Sequence, residues 1–416
     1  MRILKLSGAV EKRLLAAREC RDVEAEKVAA KIIADIRRRG DAALFSWTKK
    51  LDGINLARDG MWVSQREIEA AQTSVSTDFL RAVKHAMANV RKVAEKQLPR
   101  KWSSEVEPGV SIGQMVRPIE TIGCYIPGGK ATLLSTLVMT AVPAQVAGAK
   151  RIVAVCSRPN DELLAAAGIL GLSEIARIGG AQAVAALAYG TKTIPRVDKI
   201  FGPGNRFVTA AKQLVSHDCA IDLPAGPTEA IVIASQGNAS WIAADLLAQA
   251  EHAPDAVSIF VTTSARLARE VRREVAEQLK NLSETNPANV SLKTTGAILL
   301  AASADAAFHF VNRFAPEHLS LPEGRSALEK ISAAGTVFLG PWGAQPLGDY
   351  ASGSNHVLPT GGWARRRGGL SAADFVKCIS VQTISRQGFK RLAGDVRVLA
   401  RAENLLAHEN AVAVRE

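Results

Sequence analysis

Seven histidines are spread over the 416 residues, and four of them stand beside other groups able to bind a metal or move a proton. In Gln249-Ala-Glu-His252 at a helix end, the three-residue spacing puts an amide and an imidazole on one helical face. Glu317-His318, just after Pro316, sets a carboxylate beside an imidazole, the pairing that general acid–base chemistry uses. Asp349 follows Gly348 in a loop, with His356 seven residues on. His408 lies in a C-terminal helix, five residues after Glu403. Two imidazoles, a carboxylate and an amide oxygen could make a divalent metal site with positions left open for substrate. Taken singly, each histidine is more often a structural residue than a ligand, and spacing alone does not bring such distant segments together. His85, His217 and His309 read as surface or structural residues.

Glycine-containing turns offer a second set of groups: Pro127-Gly-Gly-Lys130, Gly179-Gly-Ala-Gln182, Gly202-Pro-Gly-Asn205, Ala225-Gly-Pro-Thr228, Gly348-Asp349 and Gly361-Gly362. Most such turns serve tight strand–helix connections. Gln182 and Asn205 add an amide donor and acceptor at expected helix starts, suited to ribose, phosphate or carboxamide contacts. The GxGxxG fingerprint of dinucleotide binding is absent.

The elements that must position these groups follow from hydrophobic periodicity. Val23–Arg39 reads as a helix stopped by Gly40, Ser64-Gln-Arg-Glu67 as a capping box, and 78–97 as a helix with a basic face. From about Thr121 short apolar runs (TIGCYI, RIVAVC, AIDL, EAIVIA, VSIFVTT, AILLA, TVFL) read as strands. Helical patterns fall between most of them, at 135–147, 161–169, 181–188, 206–215, 239–251, 264–281 and 303–313. This alternation predicts an α/β protein with mainly parallel sheets, whose ligands sit beyond the carboxyl ends of the strands. From Ser371 the tail reads as helix.

Length and composition fit a globular chain of two to three domains, with 47% apolar and 22% charged residues. The five cysteines (20, 124, 156, 219 and 378) show no CxxC and predict reduced thiols in a cytoplasmic protein. The amino terminus lacks a signal-peptide core, and the uncharged stretch 131–149 contains Pro143, Gln145 and hydroxyls, making it a poor membrane span. The net charge of +12 is concentrated in residues 1–40, 81–101 and 361–416. Aromatics are only 5% and are not interleaved with those basic runs, so neither nucleic acid nor membrane is an expected partner.

The segments Tyr125-Ile-Pro-Gly-Gly-Lys130, GGAQAVAALAYGT, FGPGN, DLPAGPTE, LLAQAEHAPDA, APEHL, GDYASGSNHVLPTGG and AHENAVAVR occur in this order. By them the chain resembles the histidinol dehydrogenase family from about residue 20 to its end. The resemblance implies oxidation of L-histidinol to L-histidine via L-histidinal with two NAD, the final steps of histidine biosynthesis. It implies one Zn2+ per subunit held by Gln249, His252, Asp349 and His408, with His408 crossing from the partner of a homodimer with shared active sites. Glu317 and His318 match the acid/base pair. Thr228, His356 and Glu403 match substrate contacts beside the four ligands and His318, while Tyr125, Gln182 and Asn205 match NAD contacts. The implied fold has two incomplete Rossmann-like domains, 21–124 with 229–370 (carrying most metal ligands) and an inserted NAD-side domain at 125–228. An N-terminal arm (1–20) and a C-terminal helical tail (371–416) reaching the partner complete it. Four departures stand out: Thr228 for Ser, Leu134 for Pro, Gln345 for Glu, and the basic run Arg365-Arg-Arg367. They leave a paralogue oxidising another small polar alcohol as the second reading.

Overall fold

All seven apolar runs become strands, and the helices between them match the expected ranges to within about two residues, because both periods are set by burial. A computed structural model describes residues 1–18, 22–128 and 132–416. Cys20, the 20/21 boundary, and Gly129, Lys130 and Ala131 lie outside the described residues.

The strands are β1 (Arg2–Lys5), β2 (Trp102–Glu107), β3 (Val110–Pro118), β4 (Thr121–Tyr125), β5 (Arg151–Val155), β6 (Ile175–Ala176) and β7 (Lys199–Phe201). Then come β8 (Ala220–Ile221), β9 (Glu229–Ile233), β10 (Val257–Thr262), β11 (Ala297–Leu300), β12 (His318–Leu321), β13 (Thr336–Leu339) and β14 (Val376–Ile384). They form a parallel six-stranded sheet, β1-β11-β10-β9-β12-β13, and a parallel five-stranded sheet, β6-β5-β4-β7-β8. A third sheet, β14-β3-β2, is antiparallel.

Both faces of each parallel sheet are covered, as their near-continuous apolar strands require. Ile231, Ile259 and Leu299 pack under Phe310 and Phe314, and Val232, Phe260 and Ile298 under Leu246 and Val271. On the five-stranded sheet, Val153 and Ile200 meet Ile32, Ile36 and Val184, while Ile122 and Ala154 meet Met87, Leu137 and Leu163.

This packing divides the chain differently from the expected partition. Helices between Val23 and Gln97 cover the five-stranded sheet, so they belong with 121–221 rather than with 229–370. Their apolar faces were legible in the periodicity, but periodicity does not say which sheet a face covers. The expected boundary at 124/125 also cuts β4. The amino-terminal segment supplies an edge strand, β1, paired to β11. The tail is not wholly helical: β14 pairs antiparallel with β3 along its whole length, from Val376–Pro118 to Ile384–Val110. Two helices follow it, Arg386–Ala402 and Leu406–Ala413. No described helix is long and apolar enough to cross a membrane. Cys124, Cys156, Cys219 and Cys378 are free thiols.

Candidate functional site

Two neighbouring strands, β9 and β12, begin side by side, with His318 in register with Ala230. Thr228 and Glu317, each just before its strand, therefore meet. Glu317 Oε2 accepts from Thr228 Oγ1 at 2.5 Å and from the Glu229 backbone N–H at 2.8 Å. The helix Ala239–Ala250 leaves the far end of β9 and runs back, which returns Gln249 to the same place. Gln249 is fully buried; its Nε2 donates to Thr228 Oγ1 at 2.8 Å, and its Oε1 accepts from Gln345 Nε2 at 2.6 Å.

His318 is buried, its ring parallel to Phe338 at 6.1 Å. Its Nδ1 lies 3.3 Å from the Glu229 carbonyl and 3.6 Å from Glu317 Oε2. Its Nε2 lies 3.6 Å from Asp349 Oδ1 and, although buried, has no hydrogen-bond partner among the described residues. A backbone carbonyl beside Nδ1 favours the tautomer with Nδ1 protonated, which leaves the Nε2 lone pair free. Asp349 lies in a short helix, Gln345–Tyr350, rather than in the expected loop. Gly348 lets that helix press on β13, since a Cβ there would stand 2.7 Å from the Phe338 ring. His356 Nδ1 contacts the Asp349 carbonyl at 2.9 Å. Asn355, donating to Met139 O at 2.6 Å, and Asn89, donating to Ala351 O at 2.8 Å, tie this loop to helices on the five-stranded sheet.

His252, one turn past Gln249, is exposed at the rim, and its Nδ1 engages the Ala248 carbonyl at 2.9 Å. A metal-binding imidazole is commonly oriented in this way, leaving Nε2 for the metal. Burial opposes charge on His318, but Glu317 and Asp349 outweigh it and raise its pKa above the ordinary value. Burial would raise Asp349, yet the His318, His356 and His252 imidazoles hold it below the usual carboxylate range. Burial pushes Glu317 up and His356 down.

The cluster sits at the amino ends of β9 and β12, not beyond the carboxyl ends as expected. The second set does sit at carboxyl ends, those of β4, β6 and β7. Tyr125 Oη accepts from the Gly180 N–H at 3.0 Å, and burial pushes the phenol up to about 12. Gln182, fully buried in the first turn of Gly180–Tyr189, donates Nε2 to Asp52 at 2.8 Å and leaves Oε1 without a partner. Asn205 caps the helix Arg206–Val215, its Oδ1 accepting from the Phe207 and Val208 N–H groups. Gly202 is required before it, since a Cβ there would lie 2.1 Å from the Tyr125 carbonyl oxygen.

The structure thus brings Thr228, Gln249, Glu317, His318, Asp349 and His356 together, with His252 at the rim. It does not bring Glu403 or His408 to them: both are exposed on the tail, Glu403 in the turn after Arg386–Ala402 and His408 on Leu406–Ala413. Among the described residues, no three His, Cys, Asp or Glu side chains could hold a metal. Sequence reasoning missed Arg18 and Glu229, a buried pair with Arg18 Nη2 2.5 Å from Glu229 Oε2. Glu229 ends the DLPAGPTE segment, a signal that could have found it; Arg18, more than two hundred residues away, carries none.

Residues 16–416 match the family model described as histidinol dehydrogenase. A histidinol dehydrogenase of Methanothermobacter thermautotrophicus is 47% identical over 390 residues, covering 91% of this chain and 90% of its own. One from Vibrio vulnificus is 45% identical, covering 93% and 90%. The crystal structure of histidinol dehydrogenase from Elizabethkingia anophelis superposes with a TM-score of 0.93 at 37% identity, covering 100% of this chain and 98% of that one.

Proposed function

Because the chain belongs to the histidinol dehydrogenase family, we propose that it oxidises L-histidinol to L-histidine through L-histidinal, with zinc and two NAD, as a homodimer with shared sites. The observation that carries this reading is His318: a buried imidazole between two carboxylates whose Nε2 has no hydrogen-bond partner. A buried polar atom left unpaired is costly unless something else occupies the space beside it.

Gln249, His252 and Asp349 would hold zinc together with His408 of a second subunit. The donor set suits that ion: one amide oxygen, one carboxylate and two imidazoles, with His252 already oriented through Nδ1. When bound, zinc supplies a Lewis acid that gathers the substrate's nitrogen atoms, and nicotinamide supplies the hydride acceptor. Tyr125, Gln182 and Asn205 would contact NAD, Gln182 through the Oε1 that has no partner among the described residues.

The chain's own groups then move the protons. His318 Nε2 accepts the alcohol proton in each turnover, and the flanking Glu317 and Asp349 favour the charged imidazolium that results. Glu317, pushed up by burial and backed by Thr228 and the Glu229 N–H, acts as the base for the water that hydrates the aldehyde. Thr228 keeps the hydroxyl of the Ser it replaces. His356, half-buried and biased neutral, and Glu403 of the partner would contact the substrate's imidazole and ammonium groups.

Each arginine of the basic run 365–367 makes a contact within the chain. Arg365 donates to the Arg313 carbonyl, Arg367 bridges Asp374 and the Asp222 carbonyl, and Arg366 lies over Trp363. The test is NAD reduction with histidinol and with a panel of diols, before and after chelation. The reading expects two NADH per histidinol, loss with chelator and recovery with zinc. One NADH per histidinol, or preference for an alcohol lacking imidazole, would overturn it.

A further inference from the structure

Glu317, as a carboxylate, only accepts hydrogen bonds, so the single hydroxyl proton of Thr228 is committed to it. The Thr228 oxygen is then left as an acceptor, and Gln249 Nε2 donates to it. That fixes which way the Gln249 amide points: nitrogen toward Thr228, oxygen to the opposite side. On that side stands Gln345, only 2% exposed, with Nε2 2.6 Å from Gln249 Oε1. The four side chains make one directional chain, Gln345 to Gln249 to Thr228 to Glu317, in which every donor and acceptor agrees.

Gln345 is itself held by the element it serves. It opens the short helix Gln345–Tyr350, which packs against the helix Ala239–Ala250 that carries Gln249. A carboxylate at 345 could not donate to Gln249 Oε1, and an apolar side chain would leave the amide free to turn over. An amide carbonyl carries two acceptor sites; Gln345 takes one and leaves the other.

We infer that Gln345 is a positioning residue for the metal-binding amide of Gln249, holding its Oε1 in the orientation that coordinates the ion. This rests on the reading of Gln249 as a ligand. Groups that orient a ligand in this way are typically worth about 10–100-fold in metal affinity.

The test is zinc binding alone, by competition with a chromophoric chelator, on the full-length dimer. Gln345→Met should weaken zinc about 10–100-fold, and should have no further effect in a Gln249→Met background, because it acts through that side chain. Gln345→Met with unchanged affinity, alongside a weakened Gln249→Met, overturns the inference and leaves the metal site standing. A Gln345→Met effect that persists in the Gln249→Met background overturns it too. If Gln249→Met itself leaves zinc binding unchanged, the metal-site reading falls and the inference with it. Should Gln345→Met not yield a folded dimer by circular dichroism and sedimentation, Gln345→Ser is judged by the same outcomes; it fits the space but is too short to reach Gln249.

Discussion

At the residue scale, His318 and Glu317 are given different work by what surrounds them. His318 presents an Nε2 without a hydrogen-bond partner among the described residues, whereas both hydrogen bonds to Glu317 fall on one oxygen and come from Thr228 and a backbone amide. His318→Ala should leave zinc and NAD binding intact and slow turnover by about 10²–10⁴-fold, the usual range for a general acid–base group. Single-turnover NADH formation checks it, and near-normal rates would remove His318 from the proton transfers. Glu317→Gln should impair oxidation of histidinal more than that of histidinol, since only the aldehyde needs an activated water. Comparing the two steps by rapid mixing decides this; equal impairment would contradict the role. Both residues were legible in the sequence as an adjacent pair. Their partners were not, because Thr228 and Gln249 are made neighbours by strand pairing and helix return, which no local spacing records.

At the element scale, the amino-terminal helix Gly8–Ala16 is locked to β9 by Arg18. Its guanidinium forms a two-pronged bond with Glu229, at 2.6 and 2.5 Å, donates to the Phe314 carbonyl and lies over the Phe314 ring. Arg18→Met should destabilise the protein by roughly 3–5 kcal/mol, because it strands the Glu229 carboxylate in the interior. Pairing it with Glu229→Gln should recover much of that loss. Denaturant unfolding measures both, and a loss below about 1 kcal/mol would show that the pair is not buried as described. The elements themselves were legible wherever burial imposes a period: the helices 161–169 and 206–215 match to the residue. The short β12, which holds a His and a Ser, gives no apolar run. Strand β14 escaped because its Ile379, Val381 and Ile384 are exposed on this chain and mark no buried face.

At the scale of the whole molecule, that exposure is the telling feature. The tail is anchored through β14 and then carries its apolar side chains outward, with Leu399 64% and Leu406 71% exposed on the two helices that flank Glu403, the second of which bears His408. So many exposed apolar side chains on one segment are expected to be covered by another protein surface. A second subunit placed there would bring His408 to the zinc site of its neighbour and link metal binding to association. The most direct measurement mixes two inactive variants, His408→Ala and His252→Ala, after dissociation and reassociation. In a mixed dimer one site collects both defects and the other is complete. Random mixing puts about half of the molecules in that state, so activity should return to about a quarter of the wild-type level. No recovery, with mixed dimers shown to form, would place His408 outside its neighbour's site and contradict the shared active site.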